Sequence, residues 1–204
     1  MPAELIPQYQ TCEYELQTVP SQGPPCFLFV IDTCTAGGLK EELSELADSL
    51  TQALHLLPED SLVGLITFGT NISVYELGSE SISKAYVMRG SREYTPSKIG
   101  EMLGCSRGAA PAGNQPGAPN GQPNLPQGGG PGQEIMDRFL LPVSECSFVI
   151  ETILDDLQRD PWPVPNDKRP SRSTGAALSV ATSMLQLAIP RRGGRIMLFT
   201  GMST

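Results

Sequence analysis

Two uninterrupted apolar runs, Phe27–Ile31 within "CFLFVID" and Leu62–Phe68 ("LVGLITF"), flank a stretch with helical periodicity. A strand with one wet face alternates apolar and polar residues. A continuous, partly β-branched run needs cover on both faces. Between the two runs, Leu39, Leu43, Leu46, Leu50, Leu54 and Leu57 recur at three- and four-residue steps, with acids at the start and Pro58 just past the end. That pattern predicts a helix over 39–57. "RIMLF" at 195–199 reads as a third buried strand. Strands alternating with helices in this way predict an α/β domain, a mainly parallel sheet with helices on both faces.

The remaining segments fill in the frame. Thr11–Val19 ("TCEYELQTV") alternates weakly and reads as an edge strand, closed by a proline cluster over 20–25. Ile72–Leu77 alternates after "GTN" and is expected to pair back on the second strand as an antiparallel edge hairpin. Residues 84–88 read as a further short strand and 97–103 as a short helix. Helices are expected over 147–158 and 174–188, the latter with Ser173 placed to cap it. The final strand has no helix after it, so a C-terminally truncated domain is expected.

Composition changes between Gly108 and Gly132, where 14 of 25 residues are Gly or Pro and none is charged. Such a stretch cannot bury enough surface to offset its ordering entropy, and a disordered insertion is expected at about 105–132. "QGGGPGQE" has no Lys-Ser/Thr after it and is not a phosphate-binding loop. The 204 residues are otherwise read as one domain.

Charge and cysteine usage exclude several classes. A net charge of −8 argues against a nucleic-acid binder. Five cysteines with no C-x-x-C support neither a disulfide framework nor a zinc knuckle. No run of 18 apolar residues exists and Met1-Pro2-Ala3-Glu4 opens no signal peptide, so a cytosolic protein is expected. Basic residues gather at Lys168, Arg169 and Arg172, and again at Arg191, Arg192 and Arg195. These groups could face an acidic partner or simply form a solvated rim.

Asp32 is the residue that asks for an explanation, because open α/β sheets place ligands at the carboxyl ends of their strands. A strand ending in Asp, a hairpin, a "TGxAL" helix and an apolar strand ending in "TG" together resemble the von Willebrand factor A fold. In that family a divalent cation sits above the sheet, held by D-x-S-x-S, a Thr just before the T-G-x-A-L motif, and an Asp after the fourth strand. Here Cys34 and Ala36 stand at the two Ser positions, Arg172 at the Thr position, and Met202 after "TG". A thiol is a poor ligand for a hard cation, Ala offers no oxygen, and an arginine repels a cation. No metal is expected. Asp32 is then either paired with Arg172 as a structural substitute for the metal, or a cap for the following helix.

A longer match follows from "PAELIPQY", "PPCFLFVIDTC", "LVGLITFGT", "KAYVMRG", "LQRDPWPVPNDKRPSRSTGAALSVA" and "GGRIMLF". These stretches resemble the trunk domain of the COPII inner-coat subunit of the Sec-twenty-three family. The resemblance implies a metal-free A-type fold that works in vesicle transport from the endoplasmic reticulum to the Golgi. It implies pairing with a cargo-binding sister subunit and a Sar-type small GTPase, and peripheral contact with the endoplasmic reticulum membrane through the assembled coat. The family's zinc ribbon lies upstream of the trunk, so no cofactor is expected in this chain. The arginine that stimulates GTP hydrolysis lies downstream, so no catalytic residue is expected either.

Competing chemistry is weak. Cys34 beside a helix start would suit a nucleophile, but the only histidine, His55, falls at the other end of that helix. Trp162 in "RDPWPVP" could be an aromatic anchor on a stiff loop, or a lid folded over the core. With Lys168 and Arg169 nearby, this loop is the expected protein-contact surface. The alternative to a coat module is a metal-dependent adhesion-type A domain. A thiol hydrolase is a more distant third reading.

Overall fold

The computed structural model describes residues 23–34, 40–79, 84–105, 131–164, 168, 170–190 and 192–201. Strand β1 (Cys26–Asp32) is followed by helix α1 (Lys40–Leu54), strands β2 (Leu62–Phe68), β3 (Asn71–Glu76) and β4 (Lys84–Arg89), and helices α2 (Pro96–Met102) and α3 (Pro131–Phe139). A two-residue strand β5 (Leu141–Pro142), helices α4 (Val143–Asp155) and α5 (Thr174–Ala188), and strand β6 (Arg195–Phe199) complete the order. The sheet runs β4-β3-β2-β1-β6, with β5 pairing on β2.

The pairings explain the apolar runs. β1 lies parallel to both β2 and β6, in the middle of the parallel part of the sheet. Successive side chains point to opposite faces of a strand. Leu28 and Val30 enter a core shared with α2, α3 and α5, containing Ile99, Ile135, Phe139, Val180 and Met184. Phe29 and Ile31 enter a second core with Ala47, Leu50 and Leu54 of α1 and Ile150 and Leu154 of α4. Both faces of β1 are dry, and so neither parity of the strand can be polar. Gly64 of β2 is closely packed: a Cβ there would stand 2.7 Å from the side chain of Leu140 and 2.8 Å from that of Leu28 on the neighbouring strand.

β3 is antiparallel to β2, as the alternation of 72–77 predicts, and β4 pairs outside it and takes the edge. At the opposite edge the expectation of a buried third strand is corrected. β6 pairs only with β1 among the described residues, and Met197 and Leu198 are 39% and 40% exposed. Apolarity reports a strand but not its rank in the sheet.

Helix α3 is a second correction. Its first two residues fall in the stretch expected to be disordered, and the sequence pattern marks no helix over 131–139. Pro131 at the helix start uses a position where no backbone N–H is needed. Ile135 and Phe139, four residues apart, are both fully buried. α4 begins at Val143 rather than 147, set by the extended backbone of Pro142 (φ −57°, ψ 142°), and ends at Asp155 rather than 158. The strand expected over 11–19, the Ala36 position, Arg169 and residues 106–130 of the insertion lie outside the described residues.

Candidate functional site

The carboxyl ends of β1 and β2 meet the loop before α5, and Asp32 sits at their junction. Its side chain has no exposed surface. Oδ1 accepts the backbone N–H of Cys34 at 2.8 Å. Oδ2 lies 3.0 Å from Nε of Arg172, whose side chain is 22% exposed. Neither of these two atoms has a hydrogen-bond partner, so the contact is an ion pair out of hydrogen-bond alignment. The guanidinium is held by a second contact: Nη2 donates to the carbonyl of Cys34 at 2.7 Å. Burial pushes the Asp32 carboxyl above its ordinary 3.8, against the downward pull of the Cys34 N–H, Arg172 and the Gly201 N–H.

Asp160 supplies a second carboxylate to the same crest. Its Oδ2 accepts both the N–H and the hydroxyl of Thr70, each at 2.8 Å, and the Cys34 thiol lies 3.8 Å away. Its own N–H donates to the Thr33 carbonyl at 3.0 Å, and Thr33 in turn donates to Phe68. Gly69 makes room for this, since a Cβ there would stand 2.6 Å from the Asp160 carboxyl group. Ser173 does not cap α5. Its hydroxyl donates to the Gly69 carbonyl at 2.8 Å, a bond that ties the start of α5 to the β2–β3 turn.

Cys34 is enclosed by these groups. Burial, followed by the negative charges of Asp32 and Asp160, pushes its thiol up to about 11. That is the reverse of what a nucleophile needs. Cys26 and Cys146 are pushed up to about 11 and about 12 by burial. His55 pairs with Glu151 at 3.5 Å, on an exposed surface. Among the described residues, no three His, Cys, Asp or Glu side chains are grouped so as to hold a metal ion.

Of the residues singled out in the sequence, the fold brings Asp32 and Arg172 together. It leaves Trp162 55% exposed, not folded over the core as a lid. Lys168 is exposed. In the second basic group, Arg192 donates to the Pro24 carbonyl and Arg195 lies over the Phe27 ring, 5.4 Å from its centroid, so both cover the start of β1. The sequence reading missed Asp160 and Thr70, which are 90 residues apart along the chain, and gave Ser173 a capping role in place of its bond to Gly69, 104 residues away. It also missed the pair Glu76–Arg138, in which Nε and Nη2 of Arg138 meet the two carboxylate oxygens at 3.0 and 3.1 Å.

Residues 22–204 match the family described as the Sec23/Sec24 trunk domain. Among solved structures, the chain is similar to the human COPII-coat protein Sec24c, with 18% sequence identity and a TM-score of 0.50. The match covers 87% of this chain and 19% of that one, so the chain spans about a fifth of the length of that protein. At this identity the likeness concerns the fold, a mixed α/β sheet with helices on both sides. The family match extends over nearly all of the sequence, and the chain belongs to the Sec23/Sec24 trunk domain family.

Proposed function

We infer that this chain is a non-catalytic interaction module of a COPII-type vesicle coat. The observation that carries this reading is Arg172, whose guanidinium lies against Asp32 where an A-type domain would hold its cation. A cation there would be repelled by the arginine and would find a thiol in place of a hydroxyl. The metal-dependent adhesion reading therefore lacks its chemistry, and the buried, protonated Cys34 does not suit a thiol hydrolase. Family membership supports the process in this reading: transport from the endoplasmic reticulum to the Golgi, on the cytoplasmic side and peripheral to the membrane. Among the described residues no helix is long and apolar enough to cross a membrane. The chain pairs with a cargo-binding sister subunit and a Sar-type small GTPase and contributes no group to GTP hydrolysis. The loop carrying Trp162, Lys168 and Arg169 forms part of the contact with the sister subunit.

Sedimentation of the purified chain with a purified cargo-binding sister subunit tests this reading. A stable complex is expected, weakened by Lys168→Glu with no change in the melting temperature. A folded chain that sediments alone in the presence of the sister subunit and of the GTP-loaded GTPase would contradict it.

A further inference from the structure

A groove of about 1030 Å³ runs between α1, the end of α4 and the loop over 158–164. This lies at the upper limit of the size range of ligand sites. Its floor is apolar: Leu43, Ala47 and Leu154 are buried, and Leu157 and Val164 are half-buried. Its rim carries Asp48, Asp155 and Asp156, all exposed and none in an ion pair among the described residues. Among the described residues, Arg159 is the only basic one lining it. Trp162 stands at the edge with 55% of its surface exposed and no hydrogen bond among the described residues.

An exposed indole face and free carboxylates ask for the same ligand. Tryptophan is the strongest aromatic partner of a cation, and among the described residues the lining carries more acidic than basic side chains. An apolar floor beside them adds a place for a large aliphatic side chain. The chain's own flanking segment is the wrong occupant, since residues 1–22 contain three Glu and no Lys or Arg. We propose that the groove binds a cationic peptide segment of another protein, with an aliphatic side chain on the floor and a Lys or Arg at Trp162 and the acidic rim. The groove shares Trp162 with the loop assigned above to the sister subunit, but its test needs only the groove and a peptide.

Trp162 is the only tryptophan, so its emission reports the groove directly. The test titrates a fluorescein-labelled Lys/Arg/Leu peptide into the full chain, with Glu/Leu and Gly/Ser peptides of equal length in parallel. Saturable anisotropy and a shift in Trp162 emission are expected for the cationic peptide alone, weakening as salt rises. The D155N/D156N variant is expected to bind on the order of fivefold to tenfold more weakly. Trp162→Ala is expected to abolish saturation. Glu93→Gln, exposed beside α2 on the opposite layer, is expected to bind as wild type. Absence of binding, equal binding of the acidic peptide, or equal weakening by Glu93→Gln would overturn the proposal. Circular dichroism melts of the exposed rim variants separate loss of binding from loss of fold, and a negative result here leaves the sister-subunit test unaffected.

Discussion

Asp160 and Thr70, 90 residues apart, are joined by two hydrogen bonds to a single carboxylate oxygen, each 2.8 Å long. The proline-rich loop after α4 is thereby fastened to the turn between β2 and β3. Charge-assisted bonds of this kind contribute more than neutral ones, and their loss strands the Thr70 donors. Asp160→Ala is expected to lower stability by about 2 kcal/mol in denaturant melts. Amide exchange should quicken first in the loop over 158–164. A variant that melts as wild type, with an unchanged loop, would mean that the two bonds contribute nothing net.

Arg172→Ala should cost about 3 kcal/mol at neutral pH, because it leaves a fully buried carboxylate without its counter-charge. The cost is pH-dependent, and the sign is fixed by Asp32. Its folded pKa already lies above 3.8 and rises further without the arginine. Stability therefore falls as pH rises from 3.8 through the raised folded value. The gap between variant and wild type should be widest at neutral pH and close on acidification. A gap that is constant with pH would remove the Asp32 carboxylate from the explanation.

Glu76 behaves in the opposite sense. Hydrogen bonds from Arg138 hold its carboxyl below the ordinary 4.5, against the effect of burial. Its contribution is complete above 4.5 and is lost as pH falls through the lower folded value. Arg138 also donates to the Leu103 carbonyl at 2.9 Å and lies over the Phe139 ring, 4.9 Å from its centroid. Arg138→Ala is expected to cost about 3 kcal/mol at neutral pH and to remove this acid-side loss from the stability profile.

Cys34, with its thiol pushed up to about 11, should alkylate slowly with iodoacetamide at neutral pH. Peptide mapping after a short exposure is expected to leave it unmodified until denaturant is added. Rapid labelling of the native chain would reopen the thiol-enzyme reading.

How far the sequence could be read follows from the range of each interaction. β2 and α5 were legible to the residue because their signals are local: an unbroken apolar run in one, and in the other a stripe that ends where Ile189 leaves helical geometry. α3 was obscured because Pro131 and Gly132 belong compositionally to the insertion, although the pair Ile135 and Phe139 marks a helix face. At the crest, Asp32 and Arg172 could be paired on paper because the family pattern places both at one cation. Asp160 had no such pattern behind it, and its partner Thr70 is set by tertiary packing alone. Ser173 shows the limit of local rules: a serine at a helix start is expected to cap it, but the Gly69 carbonyl competes for its hydroxyl and wins.

Calorimetric titration of magnesium, then calcium, into the native chain probes the crest most directly. With Arg172 lying against Asp32 and a thiol where a hydroxyl would be needed, no saturable heat is expected for either ion at millimolar concentrations. A saturable heat that disappears in Asp32→Asn would mean that the arginine moves aside for a cation, and would contradict the central claim.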